Sequence, residues 1–224
     1  ILIGAAGSTY FAGIISNITS FVHSVNISED NVAHKKAVVS VFSEERGLSR
    51  PLRDRITAFF AYLEDEKYGV DEMKLLDTYL PDHMRNDVVL FLTHRLILSC
   101  KVFRGLESGF LRSVMLRLVQ NFYMKGENIV EFGQPVDGMF LVAAGQVEIY
   151  SGDEKVHERV QNQSLAEAAM LTVIDESVYT AEAALYCELW YLSRTIFCEL
   201  LEDFPSVREK LPEMRKRIRQ FKSK

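Results

Sequence analysis

The stretch Lys125–Tyr150, KGENIVEFGQPVDGMFLVAAGQVEIY, decides the fold. Glycines at 126, 133, 138 and 145, with another at 152 just beyond, punctuate short apolar runs. Asn128–Phe132, Met139–Ala144 and Gln146–Tyr150 each have strand length and strand composition. The segment Gly133–Gly138 between the first two holds Pro135 and Asp137. It therefore combines a fixed φ, a side chain able to bond its own backbone, and permissive glycine where the chain must reverse. Gly145 marks a second tight reversal. Short strands with closely spaced turns predict a small antiparallel roll, not alternating strand and helix units.

Composition narrows the function classes. The chain has 224 residues, 48% hydrophobic and 25% charged, enough for one large or two small domains with a real core. A net charge of −5 without a long basic run argues against nucleic acid as a partner. Cys100, Cys187 and Cys198 form no C-x-x-C pair and read as buried small hydrophobes in a reducing compartment. The five histidines lack ligand spacing, so no metal site is expected. No nucleophile–base pair is visible, so an enzyme is not expected either.

Working outward, Ile1–Ser28 contains no Asp, Glu, Lys or Arg and is rich in Ile, Phe and small residues. About 20 apolar residues span a bilayer as a helix, and small residues allow close helix packing in lipid. Without a basic leading region or an initiator Met it does not read as a signal peptide, a buried soluble helix is the alternative to a membrane helix, and the chain reads as part of something longer. From Glu29 to about Lys101 the pattern is helical, in four segments. They are Glu29–Glu45, then a helix from Ser49-Arg50-Pro51 to Lys67, a short one from Asp71 to Leu80, and one opening at Pro81-Asp82. Met84, Val88, Leu92 and Leu96 lie along one face of the fourth, widened by Val89, Phe91 and Leu98. Ser108–Val119 has a helical stripe through Phe110, Val114, Leu118 and Val119. Beyond the central strands, Lys155–Val160, Val178–Ala184 and Leu185–Leu192 read as strands, with a short helix within Gln163–Leu171. Arg194–Leu201 and Pro205–Phe221 read as helices, the last with a solvated basic end.

Gly133, Asp137, Met139, Phe140, Leu141, Gly145 and Val147 resemble the G-x-x-x-D-x-M-F/Y-hydrophobic-x-x-x-G-x-V signature of cyclic-nucleotide-binding domains. Tyr10–Val22 is similar to the cytoplasmic end of the pore-lining helix of voltage-gated and cyclic-nucleotide-gated cation channels. The run from Cys100 to Arg112, CKVFRGLESGFLR, and Tyr186-Cys187-Glu188-Leu189 resemble the ether-à-go-go group of potassium channels. The resemblance implies an α+β chain in three parts. Residues 1–28 would end a pore helix, 29–101 would be a helical C-linker, and 102–224 a jelly-roll-like β-roll of the nucleotide-binding type flanked by helices.

In family members that bind cyclic nucleotides, a Phe-Gly-Glu segment opens a short helix facing the phosphate, the Glu holds the ribose, and a later Arg pairs with the cyclic phosphate. The corresponding positions here are Leu165-Ala166-Glu167 and Tyr179-Thr180-Ala181. Glu167 is kept, but the glycine is alanine and the arginine is absent. No Lys or Arg occurs from Val160 to Ser193, a window that holds Glu167, Asp175, Glu176, Glu182 and Glu188. Without an arginine partner, Glu167 also reads as an acid stabilised at a helix N-terminus. The resemblance thus implies the gating module of a tetrameric voltage-gated potassium channel with a degenerate pocket. Cyclic AMP and cyclic GMP are expected to bind weakly or not at all, and no cofactor is expected. The partners implied are the chain's own copies through the C-linker and the membrane through residues 1–28, with everything after about residue 28 cytoplasmic. An intrinsic ligand from the chain itself is another candidate occupant of the pocket. The alternative is a true cyclic-nucleotide sensor in a channel or other membrane protein.

The charge-free stretch yields the first prediction. Cysteines placed through residues 5–20 resist a membrane-impermeant thiol reagent, except on a pore-lining face. Uniform labelling across the stretch contradicts a membrane-embedded helix.

Overall fold

The computed structural model describes residues 34–66, 72–171 and 176–219. The expected membrane segment 1–28, the Asp71 cap, Asp175 and Phe221 lie outside them. No described helix is long and apolar enough to cross a membrane. The chain divides into two compact units, with the division between Leu80 and Pro81.

The first unit is helical. Helix α1, described over 34–45, ends at Gly47, whose φ of +62° is the left-handed conformation that glycine adopts without a Cβ penalty. Leu48 and Gly47 then donate backward to Ser43 and Glu44 carbonyls. Helix α2 (Arg50–Glu66) and helix α3 (Glu72–Tyr79) follow. Val39, Ile56 and Phe59 pack on buried Phe60. Val38, Val41, Phe42 and Leu52 are exposed.

The second unit opens with helix α4 (Asp82–Ser99), preceded by Pro81. Its buried residues are Val89, Thr93, Leu96 and Ile97, whereas Met84 and Leu92 are exposed. The core face therefore keeps Val89 and Leu96 of the expected broad stripe and leaves Met84, Phe91, Leu92 and Leu98 exposed. Apolar residues fill 88–92 on nearly every side, so periodicity alone does not choose the face. Thr93 is accommodated because its hydroxyl donates to the Val89 carbonyl at 2.7 Å. A 3-10 turn (Lys101–Phe103) leads into helix α5 (Ser108–Leu116), where Phe110 stands edge-on to Phe197 and Phe204.

Two antiparallel four-stranded sheets follow. One orders strands β1 (Val119–Tyr123), β8 (Cys187–Ser193), β3 (Gly138–Ala144) and β6 (Ser164–Leu165). The other orders β2 (Asn128–Val130), β7 (Thr180–Ala183), β4 (Gln146–Ser151) and β5 (Glu154–Val160). Phe140, Val142, Val147, Ile149, Ala181, Ala183 and Leu189 form the core between them. The alternate residues Met139, Leu141, Trp190 and Leu192 are buried as well, because helices cover the other face of β3 and β8. These helices are α4, α6 (Glu167–Leu171) and α7 (Arg194–Asp203).

Cys198, read as buried with Cys100 and Cys187, is exposed, and two element expectations are corrected. The helix expected through Val119 stops at Leu116, and Val119–Tyr123 is a strand paired with β8. The helix expected over Pro205–Phe221 is two, α8 (Pro205–Glu209) and α9 (Leu211–Arg219). Pro212 is tolerated in the first turn of α9, where its missing N–H is no loss.

Gly145 has φ +92°, and a Cβ there would collide with the Tyr186 carbonyl and Cys187. Gly152, with φ +63°, faces open space. We expect Gly145→Ala to destabilise the chain by more than about 2 kcal/mol and Gly152→Ala by about 1 kcal/mol. Urea unfolding of both variants checks this, and equal losses contradict it.

Candidate functional site

The site forms where β6 must become α6 within one residue. Ala166 makes that turn with φ +61°, an unusual conformation for a residue with a Cβ. This is the position at which the family pattern has glycine. Leu165 before it is 1% exposed and anchors the turn in the core between the sheets. Glu167 after it starts α6, which has only five residues.

A cavity of about 500 Å³ opens beside the turn. Leu165, Ala166, Glu167 and Tyr179 line it together, as the sequence pattern leads one to expect. Thr180 and Ala181 do not line it. Thr180 Oγ1 accepts from the Phe132 N–H at 3.2 Å on the side of β2, and Ala181 is fully buried between the sheets.

Two hydrogen bonds define the site's chemistry. The Ala166 N–H donates to the Tyr179 hydroxyl at 3.0 Å. The Ser164 hydroxyl donates to Glu167 Oε1 at 2.6 Å. The backbone donor at the turn and the carboxylate thus both have partners within the protein. Burial, with the Glu167 carboxylate nearby, pushes the Tyr179 phenol up to about 12, so the ring is neutral at physiological pH.

The glycine-rich turn sets the position of Tyr179. Gly133, with φ +74°, donates to the Ser177 carbonyl at 2.9 Å, and the Ser177 N–H returns a bond to Gln134. The Ser177 hydroxyl then donates to the Tyr179 carbonyl at 2.7 Å. Asp137 closes the same turn, with its carboxylate accepting from the Tyr191 hydroxyl and its carbonyl from the Arg194 N–H. Arg194 Nε donates to the Ala169 carbonyl at 2.7 Å, and Arg215 Nε to the Leu171 carbonyl at 2.8 Å. Two cations therefore satisfy carbonyls of α6. Part of the basic C-terminal helix, expected to be merely solvated, holds this helix in place.

The linear window without basic residues does not describe the site in space. Arg159 and His157 on β5, and Ile218 on α9, also line the cavity. Among the acids of that window, only Glu167 does so among the described residues. Strand alternation puts His157 and Arg159 on one face of β5, but nothing in the sequence says which face meets the cavity.

Residues 120–204 match the family model described as cyclic nucleotide-binding domain. The roll is similar to that family over those residues. The chain is similar to a potassium channel from Gallus gallus, the voltage-gated inwardly rectifying potassium channel KCNH6, at 24% identity over 89% of this chain and 17% of the relative. It is 24% identical to the cyclic nucleotide-gated channel rod photoreceptor subunit alpha of Gallus gallus, over 95% of this chain and 34% of that protein. It is 23% identical to the potassium voltage-gated channel unc-103 of Caenorhabditis elegans, over 91% of this chain and 25% of that protein. The chain therefore spans at most about a third of these relatives' own length. These similarities run well beyond the roll and fit the C-terminal region of such a channel.

A raised folded-state pKa favours the neutral phenol, so the stability due to Tyr179 is fully present below about pH 10. It is lost as pH rises towards 12. We expect Tyr179→Phe to cost about 1–3 kcal/mol at neutral pH, because the Ala166 N–H loses its partner. The variant's stability should fall less than the wild type's between pH 10 and 12. Parallel losses in that window contradict the assignment.

Proposed function

We propose that this chain is the cytoplasmic gating region of a tetrameric voltage-gated potassium channel, its nucleotide pocket degenerate, and that it is not an enzyme. The single observation that supports the degenerate pocket is the Ala166 N–H bonded to the Tyr179 hydroxyl. In the family pattern that backbone faces a phosphate and an arginine replaces Tyr179. A phenol of raised pKa brings no positive charge to an anion, and it already engages the donor. Ser164 likewise engages the carboxylate that would meet a ribose. Arg159 adds a cation to the lining, but two of its donors are directed to the Ser164 and Glu158 carbonyls. A hydrogen bond to a charged group is worth about 1.5–3 kcal/mol, so losing the arginine contact weakens binding by roughly 10- to 100-fold.

In this reading residues 1–28 end the pore helix, 29–101 form the linker that carries subunit contacts, and 102–224 report the state of the pocket. Exposed Val38, Val41, Phe42 and Leu52 give the linker an apolar surface suited to a neighbouring copy.

Calorimetry of the full chain in detergent, at physiological salt, should detect no binding of cyclic AMP or cyclic GMP at micromolar nucleotide. A dissociation constant of a few micromolar or tighter, abolished by Glu167→Ala, supports a working nucleotide sensor instead. Tyr179→Arg with Ala166→Gly should raise the affinity. Sedimentation of the same sample should give a tetramer that Val38→Asp with Phe42→Asp weakens, and a monomer at every concentration contradicts the assembly.

A further inference from the structure

Beside the cavity a second hollow of about 360 Å³ lies between β5, the turn after it, the 3-10 turn and α9. Lys101, Arg159 and Arg217 line it from three separate elements, with Glu167 as the one carboxylate in the lining. His157 and Asn162 are also at its wall. The two guanidiniums of Arg159 and Arg217 face one carboxylate in the lining, on a chain whose net charge is −5.

The two guanidiniums are oriented but not neutralised. Arg159 donates Nε to the Ser164 carbonyl at 3.2 Å and a terminal nitrogen to the Glu158 carbonyl at 3.0 Å. Arg217 donates a terminal nitrogen to the Arg104 carbonyl at 2.6 Å. Neither forms an ion pair with a carboxylate among the described residues. A guanidinium has five N–H donors, so donors remain on both while backbone oxygens fix their planes. Fixed planar forks suit the oxygens of a phosphate, and pre-orientation lowers the entropy lost on binding. A water claims about 30 Å³ of liquid volume, so the hollow has room for more than a single phosphate group.

We propose that this hollow binds a small multivalent phosphate, with Arg159 and Arg217 as its forked ligands and Lys101 as a third positive charge. The hollow does not include the Ala166–Tyr179 turn of the nucleotide pocket, although His157, Arg159, Glu167 and Ile218 border both. A ligand here bridges β5 to α9 and to the 3-10 turn. It would therefore hold α9 against the base of the second unit.

The test uses the full chain in detergent at low salt, titrated calorimetrically with sodium pyrophosphate and with inositol hexakisphosphate. Saturable binding is expected, weakening as salt is raised. Arg159→Gln with Arg217→Gln should lower affinity roughly 10-fold or more. Arg159→Lys with Arg217→Lys, which keeps the charge, should lower it less. Glu167→Gln removes the opposing carboxylate and should tighten binding, a gain that damage to the fold does not produce. Excess cyclic AMP should leave the titration unchanged. Vesicles with and without a bisphosphorylated inositol lipid separate the two sources of such a phosphate. Arginine-dependent recruitment to the lipid-bearing vesicles identifies a headgroup, and binding of the soluble anions alone identifies a free phosphate. No saturable binding, binding indifferent to the double glutamine variant, or displacement by cyclic AMP overturns the proposal.

Discussion

One turn controls what this roll can do. Between β6 and α6 the chain must pass from extended to helical within a single residue, and Ala166 takes the left-handed conformation to achieve it. The N–H exposed by that turn needs an acceptor, since a buried unpaired donor costs about 1–3 kcal/mol. Tyr179 supplies the acceptor from the edge of β7. The same geometry that lets a family member present its backbone to a ligand here closes on a side chain of the protein.

The remainder of the second unit keeps those two residues in register. The bond from Gly133 to Ser177 and the Ser177 hydroxyl on the Tyr179 carbonyl tie the tyrosine to the signature turn. Arg194 and Arg215 hold the carbonyls of the short helix α6 from the other side. Because α9 supplies Arg215 and also lines both hollows through Ile218, the position of that helix and the shape of the site are mechanically linked. In the proposed gating role such a link matters, because a change at the pocket is felt only if some element beyond it moves.

Much of this was legible from residue order, and the failures have physical causes. The glycines, Pro135 and Asp137 announced the turns because φ requirements are local. Leu165, Ala166, Glu167 and Tyr179 came from the resemblance to two short family segments, and they line one cavity. Strand β1 was not legible. Leu118 and Val119 extend the helical spacing of Phe110 and Val114, and only pairing with β8 makes Val119–Tyr123 extended. The buried face of α4 was read only in part, through Val89 and Leu96, since its apolar residues run nearly all round. Arg159 was overlooked because charge was counted along the chain, whereas β5, at the edge of its sheet, lines the same cavity as Glu167. Thr180 and Ala181 follow the pattern in order, yet strand alternation and pairing direct them elsewhere.

The central claim is that the Ala166 amide is already engaged and unavailable to a nucleotide. Its proton is observable by NMR in the full chain, through its exchange rate and its chemical shift. The account predicts a proton that exchanges slowly in the free protein, exchanges faster in Tyr179→Phe, and does not move when millimolar cyclic AMP is added. A rapidly exchanging proton that becomes protected, with a large shift, on adding cyclic AMP contradicts it.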